Sequence, residues 1–457
     1  MVRYIYPLKA KFSHLSYRTP FARLSLITVG MMILLSISGS VLGHSGVVPC
    51  FGWPLCAEGL LPLSPASWLS LIHRLTVAIS GLALLVLFWN AWKTQRSQTV
   101  ILVSTTAAFV LFFAQALLSA RLVQGLPFYL VLLHRATAMA VWVALTVQVV
   151  SVGIAARTVS DERLEAVEYS NRKEMLRDVF LLTKPVVVAL LLVTTFAGMV
   201  IGAQEWPSLP IAFWTLLGGF MAAGGSGAIN QYIDRFDDFK MQRTQKRPIP
   251  SGRLTAGEGL AVGVAMTLSS FYVMVAFVNL TVALLTLAGI FYYVLIYSIF
   301  LKKTTVQNIV IGGGAGAIPP LVGWAASTGG LNIPSLFLFA VVFMWTPPHF
   351  WALALVRRKD YARAGVPMLP VVRGEKETRK QVLIFTIELV ALTLLLPLFE
   401  LGGSVYLVGA SILGAWLLSA AWKMWKKGGN KLAWKMYRYS SMYLAFLFIV
   451  LMIDRLI

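Results

Sequence analysis

The sequence predicts an all-α integral membrane protein with about 13 transmembrane helices, four in an N-terminal bundle and nine behind it. Three observations carry this. The 457 residues are 58% hydrophobic and only 12% charged, whereas soluble domains are about a quarter charged. Thirteen stretches stay apolar over the ~20 residues that a helix needs to cross a bilayer core. Finally, 35 of the 39 lysines and arginines fall in alternate segments between those stretches, leaving only Arg74, Arg121, Arg135 and Arg455 elsewhere. That asymmetry is the positive-inside pattern. It predicts a multi-pass protein of the cell membrane, with a cytoplasmic N-terminus and an outside C-terminus.

The predicted spans are 24–43, 68–92, 100–122, 128–155, 185–204, 208–232, 258–279, 281–300, 308–327, 333–356, 382–401, 404–422 and 439–455. None alternates with period 2, which argues against an outer-membrane barrel. The first follows a long basic segment without a small-residue cleavage site, so it reads as a retained span. The abundance of Leu, Val, Phe and Trp excludes disorder. The net charge of +21 is topological; with no basic stripe apart from the membrane edges, nucleic acid is not an expected partner.

In the front part, Ile72-His73-Arg74-Leu75-Thr76 and Leu133-His134-Arg135-Ala136-Thr137 form a repeat 61 residues apart. Each histidine lies five or six residues inside a span, roughly 7–9 Å deep at 1.5 Å per residue. Two imidazoles at one depth on like-oriented helices suit the axial ligation of haem iron, with Arg74 and Arg135 near the propionates. The competing reading makes both histidines core residues bonded to backbone. In the first outer loop, Cys50 and Cys56 lie on the oxidising side, which favours a disulfide; a metal site with His44 is the alternative. The stretch from Asp161-Glu162-Arg163 to Arg177-Asp178 is charged and free of Pro and Gly. It reads as a cytoplasmic surface helix and marks the boundary between 1–160 and 181–457, with 161–180 as linker.

Residues 20–155 resemble one half of the haem A synthase family. The glycine-rich exit from the first span, the Trp53-Pro54-Leu55-Cys56 loop and the two His-Arg helices carry the resemblance. It implies a domain that binds haem b through His73 and His134. Where that family has a glutamate three residues before the first histidine, this chain has Ser70, so haem binding or a structural remnant is expected here rather than haem oxidation.

The strongest chemical signal lies behind the boundary. Asn230, Asp234 and Asp238 are spaced i, i+4, i+8, so a helix stacks them on one face. Oxygen donors on one stripe repel unless a cation sits among them, and Mg²⁺ takes a few carboxylates with water and substrate phosphate. Arg243, Lys246 and Arg247 follow directly and suit diphosphate oxygens. A second cluster, Arg357-Arg358-Lys359-Asp360-Tyr361, follows the tenth span, with Pro347-Pro348-His349 just inside it. Asp360 reads as a further metal ligand, and Lys359 and Tyr361 as substrate contacts. Pro347-Pro348 predicts a kink, and His349 either meets the substrate or satisfies the carbonyls the prolines free. Lys184 precedes Pro185 at the start of the fifth span, as a phosphate contact or a topological anchor.

Residues 177–457 resemble the intramembrane UbiA-type prenyltransferases, and among them the protoheme IX farnesyltransferase (haem O synthase) family. The carrying strings are Leu182-Thr183-Lys184-Pro185, Asn230…Asp234…Asp238, Met241-Gln242-Arg243-Thr244-Gln245-Lys246-Arg247-Pro248, Pro347-Pro348-His349-Phe350-Trp351 and Tyr361 to Val372. The resemblance implies a nine-helix ring that transfers farnesyl from farnesyl diphosphate to a vinyl group of haem B. It implies Mg²⁺ on Asn230, Asp234, Asp238 and Asp360, and arginines Arg243 and Arg247 at the leaving group. Tyr292, Tyr293 and Tyr297 are candidates to face an allylic cation, or core residues. The alternatives are a bifunctional haem O and haem A synthase, a quinone-type prenyltransferase and a haem transporter. Expected partners are the bilayer, the two substrates and either a second copy or a haem A synthase or terminal oxidase assembly.

Overall fold

The computed structural model describes residues 19–44, 64–122, 128–155 and 171–457. Cys50 and Cys56, with the expected disulfide, and residues 156–170, with the first half of the expected surface helix, lie outside the described residues. Among the described residues every regular element is helical, and thirteen helices are long and apolar enough to cross a membrane. A bilayer dictates this outcome, because a helix satisfies its backbone hydrogen bonds within one segment.

The front spans are α1 (Pro20–His44), α2 (Pro65–Thr94), α3 (Thr99–Leu122) and α4 (Phe128–Ala155). Ser64 caps α2 by accepting from Ser67 N, with Pro65 in the first turn, where its missing N–H costs nothing. Next come α5 (Arg172–Leu182), α6 (Pro185–Ala203), α7 (Leu209–Lys240) and α8 (Ala256–Phe277). Asn171 caps α5, so the charged stretch does end in a helix. Two compact units emerge. The first takes α1 to α4 together with Thr255–Ala276, and within it Trp142 packs against Phe271 and Tyr272 at 5.9 and 5.7 Å between ring centres.

The second unit holds α5 to Leu254 and then Phe277–Ile457. It continues with α9 (Leu280–Phe291), a π-helix (Tyr292–Leu301), α10 (Asn308–Thr328) and α11 (Ile333–Val356). Short α12 (Arg358–Arg363) and α13 (Leu369–Val372) lead to α14 (Gly374–Leu395), α15 (Ser404–Lys427) and α16 (Asn430–Leu456). Helix α11 runs unbroken through Pro347 and Pro348. Lipid supplies no hydrophobic drive between helices, so close association relies on small residues and polar ties. Helices α6 and α10 show both. A Cβ on Gly323 would land on the Thr195 carbonyl, and one on Gly198 would land on that of Pro320. Ser327 donates to Met199 O at 2.9 Å. The outer wall is pinned by the buried Tyr406 hydroxyl, which donates to Thr393 O at 2.9 Å.

Two departures from the expected spans shape the site. Helix α7 extends to Lys240 rather than 232, so the acidic stripe is helical throughout. The eighth span changes to π geometry at Tyr292, a form that is rare and often found at functional sites.

Candidate active site

The last turns of α7 bury Asn230 and three carboxylates, with Asn230 3%, Asp234 2%, Asp237 5% and Asp238 3% exposed. Burying carboxylates demands compensating charge, and neighbouring segments supply it. Lys302 pairs with Asp234, and Lys303 pairs with Asp237. Arg247 donates from Nη1 to Asp238 Oδ2 at 2.6 Å. Lys184 donates from Nζ to Asn230 Oδ1 at 2.5 Å and to the Tyr293 hydroxyl at 3.2 Å. Asn230 Nδ2 then donates to Asp234 Oδ2 at 2.8 Å and to Ser298 Oγ at 2.9 Å. The asparagine therefore turns its nitrogen, not its oxygen, toward Asp234.

Local structure explains how each cation arrives. Lys184 sits between α5 and α6 with φ 55° and ψ 59°, a left-handed conformation that costs a non-glycine residue on the order of 1–3 kcal/mol. Gln231 holds that turn by donating to Leu182 O at 2.8 Å. Lys302 follows the π-helix, its N–H donating to Tyr297 O at 2.9 Å. Arg247 lies in a compact loop closed onto the end of α7, where the Thr244 hydroxyl donates to Asp238 O at 2.8 Å. Arg253 anchors the same loop to α5 by donating to Asp178 at 2.8 Å.

The electrostatics of the two lysines differ. Burial, with Arg247 adding to it, lowers the Lys184 ammonium to about 7 against the pull of Asp234 and Asp238. Burial also acts to lower Lys302, but the Asp234 carboxylate beside it outweighs that and holds the group above the usual lysine range. An attached opposite charge favours the ionised form. Lys302 is thus a permanent cation at the first acidic position.

The remaining predicted residues are more dispersed. Arg243 and Lys246 are exposed on the loop after α7, and Lys359 is exposed on α12. Asp360 is buried, 3.8 Å from Arg363, and Tyr361 is half-buried against the apolar core. Among the described residues no three His, Cys, Asp or Glu side chains converge on one point, so Asp360 does not complete a ready-made cluster with Asp234 and Asp238. His349 is buried between Trp345 and Tyr437, at 4.2 and 4.5 Å between ring centres. Its Nδ1 lies 2.9 Å from Ser440 Oγ, tying α11 to α16.

In the first unit, His73 Nδ1 lies 2.9 Å from Ser38 Oγ, and His134 Nδ1 lies 3.4 Å from Ser119 Oγ. Ser70, one turn before His73, is buried, and its hydroxyl has no partner among the described residues.

Sequence reading did not single out Lys302, Lys303 and Ser298. The lysines had been counted only as topological charge, and a basic pair after a span gives no other signal. Of the three candidate tyrosines, Tyr293 and Tyr297 stack at 5.7 Å between centres, and Tyr292 donates from its hydroxyl to Ile311 O at 2.7 Å.

Residues 191–448 match the UbiA prenyltransferase family. A protein named protoheme IX farnesyltransferase from Roseiflexus castenholzii is 40% identical across 96% of this chain and 84% of its own length. A shorter one of the same name from Trichodesmium erythraeum is 45% identical across 63% of this chain and 88% of its own. Among solved structures, one concerning digeranylgeranylglyceryl phosphate synthase superposes with a TM-score of 0.53 at 16% identity, covering 62% of this chain and 99% of that one. That likeness bears on the fold alone. With the matched segment spanning more than half the chain and a full-length relative at this identity, the chain belongs to the UbiA prenyltransferase family.

Proposed function

We infer that this chain is a protoheme IX farnesyltransferase, which moves the farnesyl group of farnesyl diphosphate onto a vinyl carbon of haem B to give haem O. The observation that carries the reading is the buried stripe Asn230, Asp234 and Asp238 with Lys184, Lys302 and Arg247 converging on it. A site rich in both carboxylate and fixed cation suits a diphosphate that arrives with its own metal.

The donor set fits Mg²⁺. It offers hard carboxylate oxygens on successive turns, and among the described residues no third His, Cys, Asp or Glu converges with Asp234 and Asp238. That suits an ion which keeps water and takes substrate oxygens. Asp234 and Asp238 would hold it, with Asn230 and Asp360 as the further ligands proposed. When bound, it supplies Lewis-acid stabilisation of the negative charge that builds on the departing diphosphate.

The chain's own groups do the rest. Lys184, Lys302 and Arg247, with Arg243, Lys246 and Lys359 at the rim, accept the leaving group's charge. The C–O bond of farnesyl diphosphate breaks with its electron pair leaving on diphosphate. The vinyl π pair of haem then forms the new C–C bond, water adds to the resulting cation, and a proton is lost to give the hydroxyethylfarnesyl side chain. Tyr293, whose ring already faces the Lys184 ammonium at 5.7 Å, suits an allylic cation. Tyr361 and His349 are proposed on the acceptor side.

The front domain is proposed to bind haem b through His73 and His134. Ser38 Oγ lies 2.9 Å from both Leu35 O and His73 Nδ1; where the imidazole donates to it from Nδ1, Nε2 is the nitrogen left for iron. The lysine and arginine asymmetry supports a cell-membrane protein with the acidic stripe on the cytoplasmic side.

The test is incubation of purified protein with haem B, farnesyl diphosphate and Mg²⁺, followed by mass analysis of the haem. Haem O is the expected product. Prenylation of a quinone precursor with haem untouched would overturn the acceptor assignment.

A further inference from the structure

Every carboxylate at the end of α7 is already matched by a cation from another segment: Lys302 on Asp234, Lys303 on Asp237 and Arg247 on Asp238. The pairs are not equivalent. Arg247 and Lys303 have side chains 24% and 23% exposed, but Lys302 is 14% exposed and Asp234 only 3%. The Lys302 main chain is also fixed on both sides, its N–H by Tyr297 O at 2.9 Å and its carbonyl by Asn308 Nδ2 at 3.3 Å. This ammonium therefore stands at the first acidic position of a buried site, on a backbone with little freedom to retreat.

A divalent ion arriving alone meets a carboxylate whose charge is already spent. It must bind beside a buried ammonium that repels it, or pull that ammonium away from its closest carboxylate, which is costly in a low-dielectric site. A diphosphate changes this balance, because its oxygens give Lys302 a new partner and free Asp234 for the metal. We propose that Lys302 is a positioning residue that makes metal and diphosphate bind as a pair, excluding the free ion from Asp234 until a prenyl diphosphate is present. This rests on reading the acidic stripe as a metal–diphosphate site. It deepens that reading by assigning an order to it: the site stays closed to metal when no substrate is there.

By linkage, whatever diphosphate does for metal affinity the metal does for diphosphate affinity. Removing the lysine's charge must therefore uncouple the two. The experiment uses the full chain in detergent and Mn²⁺, whose free signal is read by electron paramagnetic resonance without any diphosphate. Wild type is expected to bind Mn²⁺ weakly. Lys302→Gln is expected to bind it about tenfold more tightly, within the usual range of coupling between sites. Lys303→Gln removes the same charge one residue away and should change Mn²⁺ affinity less than Lys302→Gln does. Adding Asp234→Asn to Lys302→Gln should abolish the gain. Equal Mn²⁺ affinity in wild type and Lys302→Gln, with both proteins eluting as folded species, overturns the proposal.

A second arm separates this from failure of the underlying site. Binding of a non-hydrolysable farnesyl thiodiphosphate to wild type is measured with and without Mn²⁺. Enhancement by Mn²⁺ keeps the metal–diphosphate site even where the Lys302 result goes against the proposal. No enhancement removes the site and the proposal together.

Discussion

The Nζ of Lys184 lies 2.5 Å from Asn230 Oδ1, and the residue that delivers it has φ 55°. A lysine amine is held against the acidic helix by a backbone conformation that glycine would adopt more cheaply. Gln231, on the same helix as Asn230, holds the turn through Leu182 O. Strain kept by such over-determination separates folding from function at one position. Lys184→Gly should leave the thermal midpoint in detergent unchanged or higher, because the left-handed cost disappears. It should lower farnesyl transfer at least ~100-fold, the usual loss for one preorganised charge-stabilising donor. Lys184→Arg should keep part of the activity. A glycine variant as active as wild type would show that the lysine has no part in the chemistry.

Asp234 and Lys302 form the most enclosed ion pair among the described residues, and breaking such a pair typically costs about 3–5 kcal/mol. Asp234→Asn should therefore both abolish turnover and lower the thermal midpoint, because the Lys302 ammonium is left without its partner. The double substitution Asp234→Asn with Lys302→Met removes both charges and should recover most of the lost stability while staying inactive. The double-mutant cycle, followed by scanning fluorimetry and by product mass, separates the two roles. Stability unchanged in Asp234→Asn would mean that the pair contributes nothing to the fold.

Much of this arrangement is legible in the chain. Long apolar stretches and biased lysines place the spans, because a bilayer permits little besides helices. The spacing of Asn230, Asp234 and Asp238 places three donors on one face. What the spacing does not carry is the end of α7 eight residues further on, since charged residues there look like loop while their pairing keeps them helical. Lys302 and Lys303 are hidden for a similar reason. A lysine that marks topology and a lysine that neutralises a buried aspartate occupy the same place after a span, and only the tertiary contact separates them. His349 shows another limit: the two prolines beside it suggest a substrate contact or a partner for freed carbonyls, but neither reading carries its stack on Trp345 and its contact with Ser440.

The α6–α10 crossing offers a test independent of the chemistry. Gly323 faces the Thr195 carbonyl and Gly198 faces that of Pro320, each with no room for a methyl group. Overpacking typically costs about 1–3 kcal/mol, and here the obstacle is backbone rather than a flexible side chain. Gly323→Ala should lower the thermal midpoint clearly. Gly316→Ala, in the same helix with open space around its Cα, should leave it unchanged or raise it slightly, because glycine is the poorer helix former. Equal midpoints for the two variants would mean that the helices do not meet at this glycine.

The front histidines give the last test. If His73 and His134 ligate one haem, purified protein should carry a six-coordinate spectrum that weakens in His73→Ala and in His134→Ala alike. The serine contact adds a finer expectation. Ser38 orients His73 through Nδ1, and losing such a partner of a ligating histidine typically costs 10–100-fold in affinity. Ser38→Ala should therefore keep the position of the absorption bands while lowering haem occupancy, whereas the histidine variants change the bands themselves. Because Ser38 is not among the residues proposed for farnesyl transfer, its loss should leave that reaction intact when haem B is supplied in excess. A spectrum indifferent to all three substitutions would return both histidines to the helix core.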